Sequence, residues 1–407
     1  MLILHMADLH LGRTLHDAPL FADQKQMLDS ALGYIAARAV DVLLIAGDVY
    51  DRSIPQPEAI GLFDQFLTAA FAEQPGLSVI VIPGNHDSAA RLSFGSGLLQ
   101  RARLYIKGRS DVPPEPVRIS AKGLSVNFWA LPYMEAGALE SAVAEIKKSM
   151  GAAAAPGSTG ADMAVAAPGG NMETELRNVL LAHCFVSGCA PSESERAVVG
   201  LAEEIPASVF EGFDYVALGH LHRRQAAGPV ARYPGSPLAY SFSEAAASPE
   251  KGFLLIDMEP GSSGADGAAF REEFLPVKPL HRLVRLEGLY ADLCAEGAFP
   301  EYRGDYIEAK LTDPGPTLDP ALGLRKNFPN LITVGQTYFD RLQQSAEQAV
   351  RSPQHAGSAG QAAENCGAAA VEADFRSFYE EIYGVPPPPE MGALFADLLK
   401  EAEDASN

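Results

Sequence analysis

Apolar and polar positions along the first third of the chain fall into a repeating order. Leu2–His5 is a short apolar run that stops at Ala7-Asp8. Ala, Leu, Ile and Met then recur at three- and four-residue spacing, which predicts a helix over Phe21–Val40. Val42–Ala46 (VLLIA) is unbroken, the pattern of a strand buried on both faces, and it stops at Gly47-Asp48. Helical spacing returns over Pro57–Ala72, with proline at the start, where a helix tolerates it. Val79–Ile82 (VIVI) is a third buried strand and stops at Pro83-Gly84-Asn85-His86-Asp87. This β-α-β-α-β rhythm predicts a layered α/β core. Two later runs repeat it: Asn178–Ala182 ends at His183, and Tyr215–Leu218 ends at Gly219-His220-Leu221-His222. Polar residues thus collect where buried strands stop, the end at which open α/β sheets gather ligands.

Elsewhere the pattern divides the chain. Gly151–Gly170 is small-residue, low-complexity sequence and reads as a flexible surface loop. Gly261–Ala269 reads as a shorter loop between strands Gly252–Asp257 and Glu272–Val277. From about Leu280, Arg282–Leu286, Tyr306–Leu311 and a helical stretch near Ala321–Asn327 predict a small α+β domain. Gln343–Val371 is Ala-, Gln-, Ser- and Gly-rich and reads as a linker. Helical spacing resumes over Phe375–Glu403, broken by Pro386–Pro389, which predicts a helical pair. The expected divisions are 1–278, 279–340, a linker at 341–373, and a tail at 374–407.

Composition narrows the reading. A length of 407 residues with 47% apolar residues supports two or three cored domains. The formal charge of −21 repels polyanions, so any nucleic-acid contact must be local. Bound divalent ions would invert that field locally. Cys184, Cys189, Cys294 and Cys366 form no CxxC, which argues against a zinc ribbon or a disulfide framework. No apolar run reaches the roughly 18–20 residues of a membrane helix, and the start reads as a strand rather than a signal peptide, so a cytoplasmic location is expected.

The chemistry concentrates in five blocks: Asp8-Leu9-His10, Gly47-Asp48, Gly84-Asn85-His86-Asp87, Ala182-His183 and Gly219-His220-Leu221-His222. Five of the nine histidines lie there, with carboxylates and no thiolate, a donor set for Mn²⁺, Fe²⁺ or Zn²⁺. The set Asp8, His10, Asp48, Asn85, His183, His220 and His222 is too large for one ion and suits two. A carboxylate can bridge such ions, which at roughly 3.5–4 Å apart clamp the attacking and leaving oxygens of a phosphoryl group. Gly47, Gly84 and Gly219 each precede a ligand, where a missing Cβ permits a tight turn and close approach. In an extended backbone, the Asp-Leu-His and His-Leu-His alternations put both polar side chains on one side and Leu toward the core. Any one block alone reads more simply as loop or capping chemistry; the ordered set does not. His5, His16, His281 and His355 lack this context and read as surface or core polar residues, and Asp51 and Arg52 as salt-bridge or turn residues.

The ordered blocks DLHLG, GDVYD, GNHD, AH and GHLH resemble the calcineurin-like metallophosphoesterases. HMADLHLGRTL, IAGDVYDRSIP, VIPGNHDSAARLSFGSGLL, DYVALGHLHRRQ, YPGSPLAYSFSE, LTDPGPTLDPALGLRKNFPNL and FRSFYEEIYG narrow the resemblance to the double-strand-break repair nucleases within that group. The resemblance implies a layered α/β β-sandwich flanked by helices, a smaller α+β capping domain that recognises DNA, and a C-terminal helical pair. It implies one ion, most often Mn²⁺, on Asp8, His10 and His222, and another on Asn85, His183 and His220, with Asp48 bridging. His86 would act near the scissile phosphate, with Asp87 orienting it. Relatives from archaea and eukaryotes carry a second histidine just after the bridging aspartate block; here that stretch reads Val49-Tyr50-Asp51.

The implied activity is exo- and endonucleolytic hydrolysis of DNA ends and hairpins. The implied partners are a coiled-coil ATPase subunit and a second copy of the chain, within a heterotetramer. Phe375, Phe378, Tyr379, Ile382, Leu394, Phe395 and Leu398 are the candidate ATPase-docking stripe, a helix-in-groove pattern. Arg13, Arg52, Arg91, Arg223 and the neighbouring Arg224 are candidate phosphate contacts. A dinuclear phosphatase or phosphodiesterase acting on a small-molecule or protein ester is the competing enzymatic reading. A scaffold acting through its tail is the non-enzymatic one, weakened because every ligand position is filled.

Overall fold

The computed structural model describes residues 1–109, 114–153, 175–192, 204–247, 250–260, 270–341, 375–380, 386–387, 391–392 and 395–396. In chain order the first elements are β1 (Leu2–Met6), the small hairpin β2 (Thr14–Leu15) and β3 (Ala18–Pro19), α1 (Phe21–Arg38), β4 (Val42–Ala46), α2 (Pro57–Glu73) and β5 (Ser78–Ile82). Short helices α3 (Ala89–Leu92) and α4 (Ser96–Leu99) lead to β6 (Leu104–Ile106), β7 (Val117–Ala121), β8 (Leu124–Ala130), α5 (Ala136–Ala153) and β9 (Glu175–His183). Then come β10 (Tyr215–Gly219), β11 (Gln225–Ala226), β12 (Ala231–Tyr233), β13 (Gly252–Asp257) and β14 (Arg271–Pro276). The last strands are β15 (Leu283–Gly288), β16 (Tyr306–Leu311) and β17 (Leu331–Gln336).

The first fourteen strands, the hairpin aside, make two six-stranded sheets, ordered β14-β13-β1-β4-β5-β6 and β11-β12-β10-β9-β8-β7. Their inner faces share one apolar layer: Ile3, Val42, Leu44, Ile80 and Ile82 meet Val126, Phe128, Val179, Leu181 and Ala217. The alternate residues Leu4, Met6, Leu43, Ile45, Val79 and Val81 pack with α1 and α2 residues such as Met27, Ile35, Phe63 and Phe66. Leu180, Ala182, Val216 and Leu218 pack with Leu139, Val143 and Ile146 of α5. Each central strand is therefore covered on both sides, which is why its sequence is an unbroken apolar run. The layers are helix, sheet, sheet, helix, a β-sandwich flanked by helices.

The register places the polar blocks together. β1, β4 and β5 are parallel neighbours, with Met6 opposite Ile45 and Ala46 opposite Ile82. β9 and β10 are parallel in the other sheet, with His183 opposite Gly219. All five polar blocks thus follow the carboxyl ends of adjacent parallel strands.

β15, β16 and β17 form a third, small sheet. Its core is its own: Leu286, Leu293, Ile307, Ala309, Leu311, Leu324 and Phe328. Asp23 of α1, buried itself, accepts bonds from the His281 backbone N–H (2.9 Å) and the Tyr306 hydroxyl (3.2 Å) and ties this sheet to the sandwich. The chain divides into two compact units, Met1–Leu311 with Leu318–Gly335, and Thr312–Thr317 with Gln336–Asn407. Within the second, residues 375–380 are helical, and Phe375 stacks on Phe395 with ring centroids 4.1 Å apart. Ile382, Leu394 and Leu398 lie outside the described residues, as do the 343–371 linker stretch and His355.

One expectation changes. Residues 151–153 continue α5 rather than opening a loop, because alanine, which reads as low complexity, is also the best helix former; residues 154–170 lie outside the described residues. β7 and β8 were not expected: β7 (VRISA) alternates as a half-exposed strand does but over only five positions, and the apolar run of β8 is interrupted by the buried polar Asn127. Among the described residues no helix is long and apolar enough to cross a membrane.

Candidate metal centre

The seven candidate ligands converge. Asp8, His10, Asp48, His183, His220 and His222 are all buried, and Asn85 is half-buried. The Nε2 atoms of His10 and His222 face each other at 3.0 Å, and a ligand atom of Asp8 joins them in one compact group able to hold an ion. On the other side, Asn85 Oδ1 lies 3.0 Å from His183 Nε2 and 3.1 Å from His220 Nδ1. These spacings are roughly those of adjacent ligands each about 2 Å from one ion. Asp48 Oδ2 lies between the two groups, 3.7 Å from His10 Nε2 and 3.5 Å from His183 Nε2.

The hydrogen-bond inventory fits a cation there. His222 donates its Nδ1 proton to Glu244 Oε1 (2.8 Å), and His183 donates its Nδ1 proton to the Ala46 carbonyl (2.9 Å). Both Nε2 atoms then point into the centre, one toward the His10 nitrogen and the other toward Asn85 and Asp48 oxygens. Nitrogens and oxygens so crowded in a dry site are a donor set able to hold a cation. The buried charges also shift one another. Burial pushes the Asp8 carboxyl up to about 7. Burial would lower His183, yet Asp48 and Asp8 raise it to about 9. Burial also works to raise Asp48, and the surrounding histidines, His183 first, more than reverse it. Burial lowers His10 to about 4 and His220 to about 3, so both are neutral, ligand-competent imidazoles at pH 7.

The backbone does not supply this convergence by extension. Asp8, His10 and Asp48 have φ of 55°, 43° and 49°, and His220 has 109°. Left-handed turns, costing about 1–3 kcal/mol each, aim these side chains inward. The expected orientation of the alternate residues holds all the same, since Leu9 and Leu221 are fully buried in the core. Three glycines are required by space, Gly219 because a Cβ there would meet the Ala46 carbonyl oxygen at 1.8 Å. Gly47 has φ of 90°, and a Cβ there would meet His183 Nδ1 at 2.2 Å; a Cβ on Gly84 would meet Asp48 Oδ1 at 2.1 Å.

His86 and Asp87 separate in role. The His86 backbone N–H donates to Asp48 Oδ1 (2.9 Å), and its ring Nδ1 bonds the Asp51 carbonyl (2.9 Å). Its ring also stands edge-on to His10, centroids 4.8 Å apart. Asp87, expected to orient His86, spends its carboxylate on the backbone N–H groups of Val49, Tyr50 and Gly84. A short carboxylate is better placed to satisfy three converging amides than to reach over a turn to the next ring. Asp87 therefore clamps the two ligand loops together, and Asp51 positions the imidazole.

Glu244, Lys251 and Tyr240 are neighbours of the centre that sequence reasoning left without a role, while Asp51, read as a salt-bridge or turn residue, pairs with Arg13. Glu244 and Tyr240 lie in YPGSPLAYSFSE, a stretch that carries family resemblance but no metal-ligand signature. The Tyr240 hydroxyl donates to the Leu9 carbonyl, and its ring meets both His10 and His222 edge-on. The candidate arginines scatter. Arg13 bonds Asp51 at 3.2 Å and lies over the Tyr240 ring, close to the centre. Arg52 is exposed near Asp51, Arg91 bonds the Ser53 carbonyl, and Arg223 is exposed. Arg224 lies over Phe274 of β14.

A fold of two helix-flanked sheets with this ligand set at their strand ends defines a metallophosphoesterase. The calcineurin-like phosphoesterase family profile matches residues 1–224, and the chain belongs to that family. Within it the chain belongs to the SbcD group. It is 31% identical over 342 residues to the SbcD component of nuclease SbcCD from Staphylococcus epidermidis, covering 84% of this chain and 86% of that one. It is 30% identical over 347 residues to the protein of the same name from Staphylococcus saprophyticus, covering 84% and 86%. Among solved structures, a dimetal phosphatase from Danio rerio aligns over 64% of this chain and 93% of its own at 14% identity and a TM-score of 0.32, a level that carries no weight.

Proposed function

We propose that the chain is the nuclease component of an SbcCD-type complex, a metal-dependent exo- and endonuclease that hydrolyses DNA phosphodiesters. The observation that carries this is the meeting of Asp8, His10 and His222 with Asn85, His183 and His220 around one oxygen of Asp48. Asp8, His10 and His222 would hold one divalent ion and Asn85, His183 and His220 a second, with Asp48 available to both. Mn²⁺ suits this carboxylate, amide and imidazole set. Ions so held supply an activated water and neutralise charge developing on the phosphoryl oxygens.

The chain's own residues do the rest. Asp48 Oδ1 and the Asp51 carbonyl fix the His86 main chain and ring. With Nδ1 so engaged, Nε2 is the atom that donates a hydrogen bond or a proton to the departing oxygen. Arg13, half-buried beside Asp51, offers a guanidinium to a neighbouring backbone phosphate. Residues 279–340 serve as the capping domain against DNA, and 374–407 dock on an SbcC-type ATPase partner, joined through a 341–373 linker. That partner carries much of the DNA-binding surface, which reconciles a charge of −21 with a polyanionic substrate. The working assembly is a heterotetramer with a homodimer of this chain at its centre, acting in the cytoplasm on chromosomal ends during repair and recombination.

One assay tests the reading. Purified chain with Mn²⁺ is given DNA ends and hairpins, and separately p-nitrophenyl phosphate esters. DNA cleavage is expected. Strong monoester turnover without DNA cleavage would make it a phosphatase, the reading its acidity favours, and no turnover of either would leave a scaffold.

A further inference from the structure

We propose that the two halves of the centre load in a fixed order, with the Asp8, His10 and His222 half as the tight site, because Glu244 stands behind His222 as a carboxylate positioning residue. The inference rests on the ligand assignment above and concerns what surrounds it.

Glu244 is a buried carboxylate, 2% exposed. Its Oε1 takes the His222 Nδ1 proton at 2.8 Å and the Ser192 hydroxyl at 3.0 Å. Its Oε2 takes the Tyr240 backbone N–H at 2.7 Å and lies 3.3 Å from the Lys251 ammonium. Lys251 in turn donates to the His222 carbonyl (2.8 Å) and the Ser236 hydroxyl (3.0 Å). The ring and the main chain of one ligand are thus gripped from both sides. The ammonium addresses the far oxygen, so Oε1 stays committed to the imidazole. Asp51 Oδ1 instead accepts from the Arg13 guanidinium at 3.2 Å and makes no hydrogen bond to His10 Nδ1, 3.5 Å away, so Glu244 alone backs a histidine of this half. A carboxylate behind a ligating histidine fixes its tautomer and raises its basicity.

The other half is built differently. His183 is backed by the neutral Ala46 carbonyl. Asn85, His183 and His220 are all uncharged as ligands, and the anion they share is the bridging Asp48. The first half has Asp8 as an anionic ligand of its own. Affinity for a hard divalent ion rises with ligand charge and with rigidity of the site. Both favour the first half, and the second becomes the exchangeable one.

Titrating Mn²⁺ into the metal-stripped full-length chain by calorimetry, with electron paramagnetic resonance to register the coupled pair, tests this. Wild type should show two separate binding events. Glu244→Gln keeps an acceptor for His222 but loses the charge, and should weaken the tighter event by about 10–100-fold while leaving the weaker one in place. Glu244→Gln with Lys251→Met removes the buried ammonium as well, preserves charge balance, and should give the same shift. Asn85→Ala should abolish the weaker event alone. A Glu244 variant that moves the weaker event, or neither, overturns the proposal, as do two equal constants in wild type, though these leave the dinuclear reading standing. A wild-type chain that binds no ion pair overturns both.

Discussion

His86 and the ligands beside it differ in which of their groups the site uses. His86 contributes a backbone donor to Asp48 and a ring held from behind by Asp51. His86→Ala keeps the backbone donor, so both ions should stay bound while DNA turnover falls by about 10²–10⁴-fold. Metal content measured beside turnover checks this; loss of an ion would make His86 a ligand, which its closeness to His10 and Asp48 makes a pointed test. His5 carries a different consequence. It is fully buried between the sheets with Nδ1 on the Tyr215 hydroxyl at 2.8 Å, and burial lowers it to about 3. Above the unfolded value of 6.5 neither state is charged, and His5 has no pH effect. As pH falls below that, the unfolded chain takes a proton that the native one refuses until about 3, so stability is lost. By pH 5 the loss is about 2 kcal/mol. Urea melts of wild type and His5→Asn at pH 7 and pH 5 should show the smaller drop in the variant; equal drops would clear His5 of the effect.

At the scale of elements, parallel register does the assembling. Strands β1, β4 and β5 end together in one sheet, and β9 and β10 end together in the other. Each loop then needs only a short turn to bring its ligand in. These strands were legible because burial on both faces writes an unbroken apolar run into the sequence. The ligand positions were legible for the same reason, as polar residues at abrupt ends of such runs. The edge strand β7 went unread: its apolar and polar residues alternate, as one face meets solvent, but over only five positions. The tail is a separate element with its own prediction. Phe378 is 61% exposed, while Phe375 and Phe395 stack on each other. Deleting Asp374–Asn407 should abolish co-purification with the ATPase partner and leave metal content unchanged. A truncated chain that still co-purifies would move the docking site elsewhere.

For the whole molecule the dominant facts are a charge of −21 and a buried anionic cradle at the junction of two sheets. Ions bound there would join the ends of both sheets and would favour the native state. At a hundredfold excess over the dissociation constant each would stabilise by about 2.7 kcal/mol. Chelation should therefore lower the melting temperature by several degrees, and Mn²⁺ should restore it. A melt indifferent to chelator would mean that the ions contribute nothing to the junction.

The sequence by itself determined the layered class, the buried strands and the identity of the residues at their ends, because backbone burial and side-chain chemistry are local properties that periodicity records. The resemblance implied how the seven candidate ligands of the five polar blocks divide; only the tertiary structure brought them into contact and decided what holds each. It seated Asp48 against both groups, gave Asp87 to three backbone amides, set Glu244 behind His222 and put the Asp51 carbonyl behind His86. Those relations join residues up to about two hundred positions apart, such as His10 and His222. They are made by sheet register and by left-handed turns at Asp8, His10 and Asp48, neither of which leaves a periodic trace.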